Sequence, residues 1–344
     1  MTIKRSHHQR VKIDDVAREA GVSTATVSRV INGTGTVSPT TQQRVHHAIR
    51  SLRFVAHGSA RGLAGSKTNT IGIVMPALTT FFFAALIKGI NESIEEQGYT
   101  LLMYSSNSPA SMIGGKPLPL GDHNTDGLIV FTDFLDDYSI QYMFEQGLPI
   151  VMLHRTAPAG LDIPVVAFHN EKGAFEAVNH LIENGRRRIV FLKGPEGNED
   201  SRQRELGYRR ALASADLPVD ENLIRRGKFA TTPAKQAIET LLQEGAHFDA
   251  IFAGDDNAAV GALEACRDMD ISVPGQIAIV GFNDDYMARH VSPALSTVSA
   301  PIYESGFKAG TTLLKLIAGQ PVNNAIRLET KLVVRDSSRR NGHG

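Results

Sequence analysis

The segment "GVSTATVSRVIN", Gly21–Asn32, sorts its residues onto two sides of one short helix. Val27, Val30 and Ile31 fall together at helical spacing, which leaves Thr24, Ala25, Ser28, Arg29 and Asn32 on the open face. That face is polar, positive and low in profile. Small hydroxyls donate to phosphate oxygens without holding a helix out of a groove. An arginine reaches a guanine edge through two hydrogen bonds, while Ala25 and the Thr24 methyl suit thymine methyls. The simpler alternative is a small bundle whose second helix only faces water. Two further groups have the types that acid–base chemistry uses: Asp255/Asp256 in "GDDNAA" and Asp284/Asp285 in "FNDDYM". Adjacent carboxylates on strand-to-helix loops more often cap the helix. The chain has no P-loop, HExxH, nucleophile elbow or GxGxxG after its first strand, so neither an enzyme nor a cofactor is expected.

These residues need elements to hold them. Ile13, Val16, Ala17 and Ala20 share one helical face, Asp14 and Asp15 suit its first turn, and Gly21 ends it. A second helix runs from about Thr24 to Asn32. A third starts at Ser38-Pro39, a cap followed by the proline favoured at the first helical position, with Val45, Ala48, Ile49 and Leu52 as its stripe. The tight "AGVS" turn between the first two helices predicts a helix-turn-helix. Charge supports this division: residues 1–66 hold ten Lys/Arg against three Asp/Glu, and the remainder holds 26 against 33. A basic head on an acidic body expects a polyanion at the head alone.

Beyond Ser66 the pattern changes. "IGIVM", "TLLMY", "GLIVF", "PIVML", "PVVAF", "RIVFL", "DAIFA" and "IAIVG" are short apolar runs alternating with helical stretches, the first of these being 82–97. Such alternation predicts parallel sheets covered on both faces, and the strand count predicts two similar α/β subdomains. Ser106–Gly127, with Gly114-Gly115, Pro117 and Pro119, opposes a crossover helix and reads as an irregular loop. No apolar run approaches the roughly 20 residues of a membrane helix. The basic start is followed by no apolar signal region, and the single cysteine, Cys266, can form no internal disulfide, so a cytoplasmic protein is expected.

The stretch "IDDVAREAGVSTATVSRVINGTGTVSPTTQQRVHHAIRSLRF" resembles the DNA-binding headpiece of the lactose/galactose repressor (LacI/GalR) family. The resemblance continues in "IGIVMPALTTFFFAALIKGI", "GRRRIVFLKGP", "RQRELGYRRAL", "FAGDDNAAVGAL" and "IAIVGFNDDYMARHVSPALSTVSAPIYESG". It implies an all-α helix-turn-helix headpiece (11–56), a hinge (57–66) and an α/β periplasmic-binding-protein-like core (67–336) of two doubly wound parallel-sheet subdomains. The N-terminal subdomain is expected over about 70–168 plus 298–325, the C-terminal one over about 169–297 plus 326–336, and a tail over 337–344. By position, Thr24, Ala25 and Arg29 match base-reading residues; Ser23, Thr26, Ser28, Asn32 and Thr36 match residues near phosphates; and Leu63 matches a leucine that wedges into the minor groove. The hinge departs from pattern: "FVAH" replaces the usual Tyr-x-Pro-Asn, and Gly58 and Gly62 also oppose helix, so a hinge that folds only on DNA is expected.

On the ligand side, Arg204, Asp255 and Asn283 match polar ligand positions, Phe82 and Phe168 match apolar walls, and His154 follows "PIVML". Many sugar-responsive members carry aspartate, asparagine and aspartate where His154, Asp255 and Asn283 stand. The resemblance therefore implies a sequence-specific transcription repressor, a homodimer on near-palindromic double-stranded DNA, controlled by a small effector. A sugar is expected; a nucleobase or a phosphorylated ligand, which Lys193 and Arg155 would suit, is the alternative, as is an effector acting as co-repressor. A solute-binding protein or a sugar-acting enzyme stands further off. No leucine-rich heptads follow "LVVRDSSRRNGHG", which favours a dimer over a tetramer.

Overall fold

The computed structural model describes residues 11–32, 35–52, 54, 67–76, 80–106, 118–132 and 134–339, which divide into two compact units, Met1–Thr68 and Asn69–Gly344. In the first, α1 (Ile13–Ala20), α2 (Thr24–Asn32) and α3 (Pro39–Ser51) enclose a small core. Val16, Ala17, Ala20, Val27, Val45 and Ala48 are buried there, the inward residues that the helical spacing requires. Gly21 closes α1 at φ 62°, a left-handed conformation that costs glycine little. The Ser38 hydroxyl accepts from Thr41 N at 3.3 Å and caps α3, with Pro39 in its first turn. The hinge, with Leu63, lies outside the described residues, as does the Asn32 side chain.

The second unit holds, among the described residues, two six-stranded sheets. The first contains β1 (Thr70–Pro76), β2 (Thr100–Ser106), β3 (Gly127–Phe131), β4 (Ile150–Leu153), β5 (Val165–Phe168) and β11 (Ala325–Leu328), ordered β11-β5-β4-β3-β1-β2 with every pair parallel. The second contains β6 (Ile189–Lys193), β7 (Ile224–Arg226), β8 (Ala250–Ala253), β9 (Ala278–Asn283), β10 (Ser296–Ser299) and β12 (Lys331–Val333), ordered β12-β10-β9-β8-β6-β7. Only the β10–β12 pair in it is antiparallel. Helices α4 (Phe81–Glu95), α5 (Asp137–Glu145) and α10 (Ile302–Ile317) serve the first sheet; α6 (Asn170–Glu183), α7 (Glu199–Ser214), α8 (Thr231–Gln243) and α9 (Asp256–Asp268) serve the second. β3, β4, β5, β8 and β9 are buried along their whole length, which is why they read as unbroken apolar runs.

The chain crosses between the subdomains within about three residues of the positions near 298 and 326. β10 belongs wholly to the second sheet, so the return to the first subdomain comes after Ser299. β11 pairs with β5, so the last crossing comes after Leu328. The tail begins later too: Ser337 and Ser338 are buried, and Ser337 exchanges bonds with Ile279 on both its main chain and its hydroxyl. Of the loop expected over 106–127, residues 118–126 are irregular, with Asn124 and Thr125 bonded back to Gly121. Residues 107–117 lie outside the described set. No described helix is long and apolar enough to cross a membrane.

α4 and α10 meet backbone to backbone. A Cβ on Gly89 would stand 2.1 Å from Tyr303 O, and one on Gly306 would stand 2.2 Å from Leu86 O. Gly306→Ala is therefore expected to force the helices apart and lower unfolding stability by about 1–3 kcal/mol in urea titration. An unchanged midpoint would show that the pair separates freely.

Candidate functional site

Each sheet runs outward from a point where the chain reverses direction, between β1 and β3 in one and between β6 and β8 in the other. Doubly wound sheets bind ligands beyond their carboxyl ends at such points. Here the two reversals face one cleft of about 380 Å³, within the usual size of a small-molecule site. Pro76 ends β1, Phe131 ends β3 and Thr132 follows it, Pro195 follows β6, Asp255 follows β8 and Asn283 ends β9; all line it.

Arg204 is the centre of the polar side. It is 2% exposed, on α7. Its Nε donates to Asn170 Oδ1 at 2.9 Å and its Nη1 to Gly254 O at 2.5 Å. Its guanidinium carbon lies 3.8 Å from the Phe282 ring centre. Asp200 Oδ2 stands 3.7 Å from Nη2. Burial lowers the proton affinity of Arg204, while Asp200, Asp255 and Asp256 oppose that. Burial also works against ionised Asp200, but His154, Arg204 and Asn170 outweigh it and hold the carboxyl below its ordinary range. Asp255 is raised by burial against the bonds it accepts from Asn257 and Ala258 N. Asn283 is 7% exposed with φ 114°, and its buried Oδ1 has no partner. Thr132, Lys228 and Phe229, also in the lining, have positive φ as well. Left-handed non-glycine residues gathered at one cleft mark backbone held in shape for a purpose.

The cleft brings together Phe82, Arg204, Asp255 and Asn283 of the expected ligand residues. Phe168 and His154 stand behind it. Phe168 is 2% exposed in the core, and His154 is fully buried. The His154 ring lies 4.3 Å from Phe168, its Nε2 is 3.3 Å from Ser305 Oγ, and its Nδ1 faces Asp200 Oδ2 at 3.4 Å. Lys193 is not in the lining, and Arg155 is spent on Thr132 O, Leu135 O and Asp137. Neither supplies the cation that a phosphorylated ligand requires. Lining residues not expected include Phe83, Phe131, Phe134, Asn198, Asp200 and Phe229. The rule that ligands sit at strand ends points to Phe131, the last residue of β3.

Of the paired carboxylates, Asp256, Asp284 and Asp285 serve the fold, and Asp255 both caps α9 and lines the cleft. Asp255 caps α9, and Asp256 accepts from Thr297 Oγ1 at 2.5 Å and Asp285 N at 2.7 Å. Asp284 pairs with Arg289 and Arg335, and Asp285 caps the turn at Tyr286.

In the headpiece, Thr24, Ala25, Arg29 and Thr36 are exposed and Ser28 is half-buried, while Val27 is fully buried. Arg29 forms no ion pair with another described residue. Ser23 also caps α2, its hydroxyl accepting from Thr26 N at 3.2 Å and meeting Thr26 Oγ1 at 2.9 Å.

Residues 12–56 match the bacterial regulatory proteins of the lacI family, and residues 178–338 match the periplasmic binding protein-like domain. Catabolite control protein A of Priestia megaterium is 32% identical over 96% of this chain and 99% of its own. The solved complex of the transcriptional regulator CelR with cellobiose aligns over 95% of this chain and 100% of that one, at 30% identity and TM-score 0.70. The lac repressor dimer bound to operator and the anti-inducer ONPF aligns over 96% and 99%, at 25% identity and TM-score 0.75.

Proposed function

The chain belongs to the lacI family of bacterial regulatory proteins, and from that premise we propose that it represses transcription as a homodimer on near-palindromic operator DNA, controlled by a sugar in its cleft. It is a helix-turn-helix transcriptional regulator and not an enzyme. Two-fold protein symmetry calls for two-fold symmetry in the operator. The reading is supported above all by a three-helix head that exposes Thr24, Ala25 and Arg29 on one helix face and buries Val27 on the other. DNA contact falls to Ser23, Thr24, Ala25, Thr26, Ser28, Arg29, Asn32 and Thr36 with Leu63, and effector contact to Phe82, Arg204, Asp255 and Asn283. The cytoplasm, where the DNA lies, is its place of work.

A sugar suits the cleft because hydroxyls need paired donors and acceptors and the C–H face of a sugar ring needs an aromatic platform. Arg204 and Asp255 supply the first with the unpartnered Asn283 Oδ1, and Phe82 supplies the second. The CelR complex holds cellobiose in the same fold. Ligand and operator each favour one arrangement of the two subdomains, so each changes the affinity of the other by the same factor. Sequencing genomic fragments captured by the purified protein, with and without a panel of sugars, tests this. One near-palindrome whose recovery changes with one sugar is the expected result, and its direction gives the sign of the response. Capture of unselected DNA would overturn operator recognition.

A further inference from the structure

The N-terminus of α4 takes its cap from the other subdomain. Thr80 precedes the helix without a side-chain cap bond, and the first turn, Phe81-Phe82-Phe83, holds no acidic residue. Main-chain N–H groups at a helix start attract a carboxylate. Here the Phe82 main chain bonds the carboxyl of Asp285, in the turn that follows β9. Burial raises the proton affinity of that carboxyl against the bonds it accepts from Tyr286 N and Phe82. One residue before Phe82, the Phe81 ring meets the Tyr286 ring at 5.5 Å between centres, and Tyr286 lies 4.3 Å from the His290 ring. Each side is anchored in its own subdomain. Asp285 N donates to Asp256 Oδ2 at 2.7 Å, and α4 is fixed to α10 by the close approaches at Gly89 and Gly306.

Phe82 and Asn283 line the cleft beside this contact, but Phe81, Asp285 and Tyr286 stand outside the described lining. Phe81 is 54% exposed and Tyr286 61%, so the ring pair adds little to either core. A tie between two bodies that move against each other forms in one arrangement and is lost in the other. We propose that Asp285 and Tyr286 clasp the start of α4 across the edge of the cleft, and that this clasp sets the balance of subdomain arrangements that effector and operator read. The proposal rests on ligand-controlled DNA binding and on no choice of effector. Loosening the clasp lowers the weight of the clasped arrangement. A ligand that prefers that arrangement then binds more weakly, and one that prefers the other binds more tightly, through residues that line neither site. The interaction of one aromatic pair corresponds to a shift of about twofold to tenfold.

The test is hydrogen exchange read by mass spectrometry on the full-length protein, with Phe81→Ala, Tyr286→Ala and the double variant. Both rings are exposed, so the melting temperature should stay near that of the parent. Exchange in the first turn of α4 is expected to rise about twofold to tenfold in each single variant, and no further in the double, because both remove one contact. It should rise as well in the loop 194–198, which supplies Pro195, Glu196 and Asn198 to the lining from the second subdomain. Tyr286→Phe, which keeps the ring, should match the parent. Affinity for the operator recovered by genomic capture, read by fluorescence anisotropy, should change in the alanine variants alone. Unchanged exchange in both alanine variants would overturn the clasp. A rise confined to α4, or an unchanged operator affinity, would leave a local cap and overturn its part in the balance. Capture of unselected DNA by the parent would overturn operator recognition instead, with exchange at α4 and at 194–198 still deciding the clasp.

Discussion

Arg204→Met is expected to abolish the ligand response and to destabilise the core by about 3–5 kcal/mol, the cost of leaving buried charges without their partner. Asp200, Asp255 and Asp256 are all at most 6% exposed, and each feels the Arg204 charge. Removing that charge also removes the bonds to Asn170 and Gly254 and the stacking on Phe282. Loss of folding would mask loss of binding, so Arg204→Lys is the informative partner. Lysine keeps the charge but is a point donor without the planar fork. It should leave the chain folded, with a lower urea midpoint, and weaken the effector by about tenfold to a hundredfold, the usual worth of a charged hydrogen bond. Calorimetry and urea titration on both variants read the two quantities separately. A lysine variant that binds as well as the parent would make Arg204 a structural cation only.

The parts of this molecule that are legible in its sequence are those whose burial is total. β3, β4, β5, β8 and β9 lie between helices on both faces, so their sequences carry almost no polar interruption. The strands without such a signal are short or lie at edges. β7 is "IRR", β11 is "AIRL" and β12 is "KLV", each with a charged residue facing water. β10, "STVS", is mostly buried yet reads as a turn. Its Ser296 hydroxyl is satisfied by Arg335 and Ser338, residues about forty positions away that no local pattern reveals.

The same cause limits the site. Asp255 and Asn283 sit at the ends of strands that the sequence marks, Arg204 inside α7 is found through the family motif alone, and the structure sets all three in the cleft. Phe229 lies just beyond β7 and is hidden along with it. Phe168 and His154 have the types of binding residues at strand ends, but they are buried beneath the lining and not part of it. What distinguishes them from Phe82 is the neighbouring Ser305 on α10 and the Asp200 carboxylate on α7, which hold the His154 ring beneath the phenylalanines. Those partners come from 151 and 46 residues away, a separation at which sequence spacing says nothing.

In the headpiece the decisive expected result is that Arg29→Ala lowers operator affinity by about a hundredfold or more and leaves binding to random DNA nearly unchanged. A bidentate contact to guanine contributes about 1–3 kcal/mol of discrimination, and a dimer on a two-fold site makes it twice. One arginine among many basic residues contributes little to the phosphate term, so the salt dependence should change only by about the counterions of the charges removed. The fold should survive: Arg29 is exposed, and exposed substitutions usually stay within about 0.5 kcal/mol. Arg18→Ala is the matched control. Arg18 is also exposed, but it sits on α1 and pairs with Asp15 at 3.5 Å, so its loss should affect both kinds of DNA equally and weakly. Fluorescence anisotropy on operator and scrambled duplexes, at two salt concentrations, separates the cases. If Arg29→Ala weakens both duplexes by the same factor, Arg29 reads phosphate and not sequence, and base recognition passes to Thr24 and Ala25.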